Sequence, residues 1–293
     1  MRLLLRFLSV LFSFLLCLPG WSKNFEVKGV ITVSDGRGEN ASPMDVYFYR
    51  PRSFQANGRV LIVIHGQSRN ADGYRDYFID SAERYGVLVL APEFSREIYR
   101  GSRQFNLGNM KNRAGQFLPI GSRSYLVIDR VFEQAKSKLS FMQKGYSLFG
   151  HSAGSQFVHR MILFCPSKML VAAVAANAGW YTVPDTKVKF PYGMGNTIEA
   201  DKFLSQSFKQ KLIIMLGQDD DDENHRSLRT TQKAMAQGSH RLARGRYFYR
   251  TAKEMAQRLR APFFWEISVV PGVGHSGRRM ADPAADLLFG GSD

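Results

Sequence analysis

One serine of the chain stands in the pattern of an activated nucleophile. Residues 150–154 read Gly-His-Ser-Ala-Gly, which matches G-x-S-x-G. In that pattern a sharp turn between a strand and a helix exposes the serine hydroxyl, and the two glycines let the backbone turn without a clash at Cβ. The N-terminus of the following helix favours developing negative charge. The pattern therefore predicts that Ser152 is a nucleophile, against the alternative of an ordinary turn serine.

A serine hydroxyl needs a general base, and His275 is the histidine best placed to serve as one. It follows two glycines in the loop after the last apolar segment of the chain, where the histidine of a catalytic triad belongs. We interpret the other histidines either as structural residues or as residues that do not directly follow a predicted strand. They are His65, His151, His159, His225 and His240.

The third member of a triad is a carboxylate that orients the histidine. The run Asp219 to Asp222 follows a buried apolar segment and Gly217. Four adjacent carboxylates cannot all face one imidazole, so most of them must face solvent. The spacing after Gly217 favours Asp220, with Asp219 and Asp222 as alternatives. An alternative interpretation is that this run binds a hard cation such as calcium, which prefers several oxygen ligands.

An oxyanion formed during acyl transfer needs two backbone N–H donors. The amide of Ala153, directly after the nucleophile, is the expected first donor. The second is expected in the loop after His65-Gly66, from Gln67 or Ser68, and we assign it to Gln67.

The elements that must position these residues alternate between strand and helix from residue 59 onward. Buried strands are predicted at 59–64, 87–91, 146–149, 171–176, 212–216 and 263–270, and helices at 73–85, 122–139, 154–165, 242–260 and 276–289. Such alternation gives a mostly parallel sheet with helices on both faces, whose site lies at the carboxyl ends of the strands. Residues 25–33 and 44–50 predict an antiparallel hairpin at one edge. Residues 96–121 are predicted as a long loop. The aromatic segment 180–210 is either a pocket wall or packing beneath a loop.

The first 22 residues have the pattern of a secretory signal peptide. Arg2 and Arg6 precede an apolar run, and small residues surround the expected cleavage after Ser22. An uncleaved membrane anchor is the alternative. We therefore predict a secreted or periplasmic protein with one catalytic domain at 23–293. Cleavage would leave Cys165 as the one cysteine, which the apolar sequence around it predicts to be a buried, inert thiol.

The net charge of +15 is not accompanied by a nucleic-acid recognition motif, so we expect no nucleic-acid partner. The charge is read either as a solvated basic surface or as an attraction to anionic substrates or an anionic envelope.

Taken together, these motifs resemble the α/β-hydrolases, and within them the group of polyhydroxybutyrate depolymerases and feruloyl esterases. The resemblance rests on residues 65–71, 150–154, 217–220 and 274–275, with further similarity at 176–181. It implies the α/β-hydrolase fold, a Ser-His-Asp triad and no cofactor. We also expect no metal site. In that group the acid stands three residues after the glycine, which supports Asp220.

The function expected from the residues and the resemblance together is the cleavage of small-molecule or polymeric carboxylic esters through an acyl-enzyme. Two alternatives stay open: a peptidase or amidase with the same triad, and a non-catalytic binding protein on a hydrolase scaffold. The sequence does not choose the natural substrate or the oligomeric state.

Overall fold

The computed structural model describes residues 26–36, 41–197 and 200–291. The predicted signal peptide at 1–22 lies outside the described residues. Within them, eight strands form one sheet, and their bounds follow the buried apolar runs of the sequence. The strands are β1 (Lys28–Ser34), β2 (Pro43–Tyr49), β3 (Val60–Ile64), β4 (Leu88–Pro92), β5 (Tyr146–His151), β6 (Leu170–Ala176), β7 (Leu212–Gly217) and β8 (Trp265–Val270).

The strand order across the sheet is β1-β2-β4-β3-β5-β6-β7-β8. β1 pairs with β2, and β2 with β4, in antiparallel orientation, whereas all pairs from β4 to β8 are parallel. The mostly parallel sheet with an antiparallel N-terminal edge is therefore confirmed. Because β3 and β5 to β8 run in the same direction, the residues that follow them meet at one edge, which we call the carboxyl edge.

Helices cover both faces of this sheet. They are α1 (Ala71–Asp76), α2 (Ile79–Tyr85), α3 (Gly101–Gln104), α4 (Val127–Lys138), α5 (Ala153–Phe164), α6 (Ala200–Ser207), α7 (Gln232–Met235), α8 (Arg241–Arg258) and α9 (Gly277–Phe289). The side chains of β3 show how the layers divide. Val60, Ile62 and Ile64 join the core beneath α4, α5 and α8, and the alternate residues Leu61 and Val63 join the core beneath α1, α2 and α9. Each face thus buries apolar surface, the main stabilising contribution to such a sheet.

The structure corrects two predicted segments. The helix expected at 73–85 is two helices, α1 and α2, separated at Tyr77 and Phe78. The break accompanies burial of Phe78, whose ring lies 4.9 Å from that of Phe149. The segment expected to be one loop at 96–121 contains the short helix α3, and a turn of 3₁₀-helix begins at Ile120.

Candidate active site

Ser152 lies at the sharp turn between β5 and α5. Its backbone has φ 56° and ψ −111°, a conformation that a residue with a side chain rarely adopts and that persists only when the surroundings enforce it. Its own N–H donates to the carbonyl oxygen of Ala176 at 3.0 Å, which fixes the turn against β6. The strained position holds the serine side chain at the carboxyl edge.

The two glycines of the motif are required by close backbone approaches. A Cβ on Gly150 would lie 2.4 Å from the carbonyl oxygen of Gly154, and a Cβ on Gly154 would lie 2.2 Å from that of Ile64. Real Cβ atoms do not tolerate such contacts with backbone atoms. The glycines therefore allow α5 to start directly against β3.

Three predicted residues meet in one hydrogen-bonded chain. The distance from His275 Nε2 to Ser152 Oγ is 3.0 Å, and that from His275 Nδ1 to Asp220 Oδ2 is 2.8 Å. A carboxylate only accepts hydrogen bonds, so Nδ1 carries the proton and donates it to Asp220. The lone pair of Nε2 then faces the serine hydroxyl, as a general base requires.

Asp220 is the one carboxylate of its run that the fold buries. Its side chain is 2 % exposed, whereas Asp219, Asp221 and Asp222 are exposed. Its second oxygen, Oδ1, accepts from Nη1 of Arg241 at 3.1 Å, and that side chain is also 2 % exposed. Arg241 is the first residue of α8, and sequence reasoning missed it because nothing in the local pattern near the acidic run points to a residue in a later helix.

A second residue that sequence reasoning did not single out is Asn177, after β6. Its Oδ1 accepts from the N–H of Gly217 at 2.8 Å, and its Nδ2 donates to the carbonyl oxygen of Gly274 at 3.1 Å. One amide side chain therefore joins the end of β7, before Asp220, to the loop that carries His275. Its φ of 50° is in the left-handed region, which asparagine tolerates better than most residues.

Three other histidines are buried around the site and are held neutral. Burial lowers the pKa of His65 to about 3, and it lowers the pKa of His151 and His159 well below the usual value. His65 bonds to the carbonyl oxygen of Gly66 and accepts from the N–H of Phe94. His159 bonds in the same way to main-chain groups on either side of its ring. These contacts agree with the interpretation of these two histidines as structural residues.

His225 was given no role by the sequence, yet the structure places its ring 5.7 Å from that of His275. It is half-buried. Its Nδ1 lies 3.1 Å from Nη2 of Arg241, so the guanidinium that holds Asp220 also holds this imidazole. The signal for this contact is again tertiary, since α8 brings Arg241 to the loop after β7.

The predicted oxyanion donors are the main-chain amides at the start of α5 and in the turn after β3. Ala153 begins α5, so its N–H has no acceptor within the helix. The turn after β3 is closed by the N–H of Arg69 bonding to the carbonyl oxygen of Gly66 at 3.3 Å, with Gln67 and Ser68 exposed between them. Arg96 donates to the carbonyl oxygen of Gln67 at 2.9 Å and so orients the peptide plane that it shares with the Ser68 N–H. The assignment of the second donor to Gln67 stays a prediction.

The aromatic residues of segment 180–210 are mostly packed rather than exposed. Trp180, just beyond Asn177, is buried with its ring 4.6 Å from that of Tyr192. Two guanidinium groups lie near the Trp180 ring. That of the fully buried Arg160 is 4.3 Å from the ring, and that of the exposed Arg229 is 5.2 Å from it. Here the packing alternative fits better than a mobile wall.

Two further features lie away from this chemistry. A groove of about 850 Å³ is lined by Leu170, Val171 and Trp265, at the amino ends of β6 and β8 and therefore at the edge opposite Ser152. Cys165 is a free, buried thiol, as expected, and burial raises its pKa. In the part of the chain that the structure describes, no three His, Cys, Asp or Glu side chains lie together as a metal site would need.

Solved structures resemble this chain over nearly its whole length. A poly(aspartic acid) hydrolase from Sphingomonas sp. KT-1 is 37% identical, with a TM-score of 0.86 over 90% of this chain and 99% of its own. A poly(3-hydroxybutyrate) depolymerase from Bordetella parapertussis is 33% identical, with a TM-score of 0.84 over 90% and 91%. An S-formylglutathione hydrolase from Staphylococcus aureus, 13% identical over 89% and 97% with a TM-score of 0.55, shares the fold alone. No protein-family profile and no curated protein matches the chain.

Proposed function

Because the chain belongs to the α/β-hydrolase superfamily, in the group of the poly(aspartic acid) hydrolase and the poly(3-hydroxybutyrate) depolymerase, we propose that it is a serine hydrolase of carboxylic esters. The observation that carries the proposal is the continuous chain from Ser152 Oγ through His275 to Asp220, with distances of 3.0 and 2.8 Å. Each distance is within the range of a working hydrogen bond.

In this mechanism Ser152 Oγ attacks the ester carbonyl carbon while His275 Nε2 takes the hydroxyl proton. The oxyanion of the tetrahedral intermediate accepts hydrogen bonds from the amides of Ala153 and Gln67. His275 then gives its proton to the leaving alcohol, and an acyl-enzyme remains. Water, deprotonated by the same imidazole, releases the acid and restores Ser152. Asp220 stabilises the imidazolium and keeps its ring oriented throughout.

The test uses the purified protein and its Ser152→Ala variant on 4-nitrophenyl esters of increasing acyl length. The wild type is expected to cleave short-chain esters, and the variant to lose at least about 1,000-fold in kcat, because the nucleophile itself is gone. A fluorophosphonate should label the wild type at Ser152. A variant that retains activity would refute the mechanism. A wild type that neither cleaves esters or amides nor reacts with the fluorophosphonate would favour the non-catalytic binding alternative.

Amide cleavage is the second candidate, and one comparison favours it. The relative at 37% identity is named for hydrolysing poly(aspartic acid), a polyanion. In this chain Arg229 is exposed beside Trp180, with Nε donating to the Tyr192 hydroxyl at 2.7 Å and with no carboxylate within ion-pair distance among the described residues. A fixed, unneutralised guanidinium suits an anionic substrate. Assay of poly(aspartic acid) beside the ester panel separates the two candidates, since product release from the polymer without ester turnover would select the amidase.

We also propose that the protein is secreted or periplasmic after removal of residues 1–22. The pattern that supports this lies in the sequence outside the described residues. No helix in the described residues has the length and apolar character needed to cross a membrane. Expression of the full chain in a bacterial host, followed by intact-mass measurement of the exported protein, should give a product that begins at Lys23. A product that retains Met1 would contradict the proposal.

A further inference from the structure

His225 and His151 are the two histidines whose rings lie within 6 Å of the His275 ring among the described residues. His151 cannot reach a substrate, since it is buried and its Nδ1 is bonded to the Tyr74 hydroxyl at 2.9 Å. His225 is half-buried in the loop between β7 and α7, with its ring at 64° to that of His275. It is therefore the one of the two that can meet a molecule bound at the carboxyl edge.

The contacts of His225 fix where its proton resides. Nη2 of Arg241 lies 3.1 Å from Nδ1, the N–H of Ser227 lies 3.2 Å from it, and the Ser227 hydroxyl lies 3.1 Å from it. Guanidinium and backbone N–H groups only donate, so Nδ1 must supply a lone pair. The neutral ring then carries its proton on Nε2.

The surroundings also lower the pKa of this ring, which favours its neutral form. Burial and the charge of Arg241 are the largest causes that lower its pKa, with His275 acting in the same direction and Asp220 and Asp222 in the opposite direction. Nε2 has no protein acceptor within hydrogen-bond distance in the described part of the chain, while Nδ1 has three donors. An N–H donor is thus preorganised beside the catalytic imidazole and is available to a ligand.

We propose that the Nε2–H of His225 binds a carbonyl or carboxylate oxygen on the leaving-group side of the substrate. The proposal rests on the function proposed above, because it is His275 that delivers the proton to the departing group. A donor attached to the ring next to His275 then lies close to the atoms that follow the scissile bond. The site accordingly prefers a leaving group that carries its own carbonyl, as an alcohol or amine derived from a hydroxy or amino acid does.

The test measures the release of butyrate from two esters with the same butyryl group, ethyl butyrate and ethyl (butyryloxy)acetate. In the second, the alcohol that leaves with cleavage of the butyryl ester carries its own carbonyl. His225→Phe keeps a ring without a donor. His225→Gln places an amide nitrogen at about the reach of Nε2. We expect His225→Phe to lower kcat/KM for the second ester about tenfold relative to the first, the effect of one lost hydrogen bond. His225→Gln should recover most of that ratio.

An equal loss on both esters would show that His225 acts only by supporting Arg241, and no loss on either would show no role; both results overturn the proposal. The amide pair N-ethylbutanamide and N-butyrylglycine ethyl ester separates failure of this inference from failure of the ester proposal. If the wild type cleaves only amides, the esterase function is wrong, but the same relative loss in His225→Phe across the amide pair would still support the donor. If the wild type cleaves 4-nitrophenyl esters but neither pair, the proposed function stands and this inference falls. If it cleaves none of these substrates and does not react with the fluorophosphonate, both proposals fall together.

Discussion

Replacement of Arg241 by Met should damage both stability and catalysis, because among the described residues its guanidinium is the only side-chain partner of Asp220 Oδ1. Both side chains are 2 % exposed, so water cannot replace the lost contact. Removing one member of a buried ion pair leaves an uncompensated charge and costs about 3–5 kcal/mol. For a domain of this size, about 2 °C of Tm corresponds to each kcal/mol. The expected decrease in Tm is therefore about 6–10 °C.

Catalysis should fall as well, since Asp220 holds His275 through its other oxygen at 2.8 Å. Without Arg241, the Asp220 carboxylate is expected to rotate toward solvent and to displace the His275 ring that it holds. A misplacement of about 1 Å can cost about 100-fold in rate. The measurements are thermal unfolding and kcat/KM on a 4-nitrophenyl ester. Arg250→Met is the matched control, because Arg250 is an exposed arginine on the same helix α8. Its stability should change by less than about 0.5 kcal/mol.

A double-mutant cycle tests the reasoning itself. Asp220→Asn combined with Arg241→Met removes both charges, so its loss of stability should be smaller than the sum of the two single losses. Strict additivity, together with a Tm decrease below about 2 °C for Arg241→Met, would refute the view that the two buried charges support each other.

Two further predictions concern the frame around the site. The pKa of His65 is about 3 in the folded protein and about 6.5 in the unfolded chain, so the unfolded chain binds more protons below pH 6.5. The contribution of His65 to the free energy of unfolding is therefore complete above that pH and decreases as the pH is lowered. At pH 5 the decrease is about 2 kcal/mol. His151 and His159 act in the same direction, and a Tm that stays constant from pH 7 to pH 5 would contradict this. Gly154→Ala should lower the free energy of unfolding by about 1–3 kcal/mol and displace Ser152, since the added Cβ would lie 2.2 Å from a β3 carbonyl oxygen. Gly121→Ala is the control for Tm and activity, because nothing lies within 4 Å of the Cβ that it adds. Equal results for the two variants would contradict the prediction.

The strands and their direction could be predicted from the sequence because burial on both faces leaves a direct trace. Continuous apolar runs become β3 to β7 within one or two residues of the expected bounds, and parallel order alone then brings Ser152 and His275 to one edge. The split of the helix at Tyr77 and Phe78 left no such trace. The break accompanies the packing of Phe78 on Phe149, a contact between segments that are distant in the sequence.

The acid could be narrowed to a run of four residues but not fixed from the residues alone. Asp220 differs from its neighbours by being buried, and that burial depends on Arg241, 21 positions later. Arg241 also lies beside Nδ1 of His225, and this second tertiary contact acts with Ser227 to determine the tautomer of that ring. Contacts between a loop and a later helix have no period and no local motif, so they lie beyond pattern reasoning.

The fold also changes how the basic composition is interpreted. Part of the positive charge is internal, on arginines whose guanidinium groups donate to main-chain carbonyl oxygens of irregular segments. Arg69 donates to the carbonyl oxygens of Phe94, Tyr99 and Gly101. Arg244 donates to those of Gly179, Arg229 and Gly238.

Loops at the carboxyl edge lack the partners that a helix or sheet gives to each carbonyl, and a buried carbonyl without a donor is costly. One guanidinium offers five N–H donors, so a single arginine can fix several such turns at once. The described cysteine is free, and in the described residues these arginines therefore supply cross-links between loops that disulfides supply elsewhere. It follows that the net charge of +15 overstates the charge offered to an anionic substrate, and that exposed groups such as Arg229, rather than the total, should govern any preference for one.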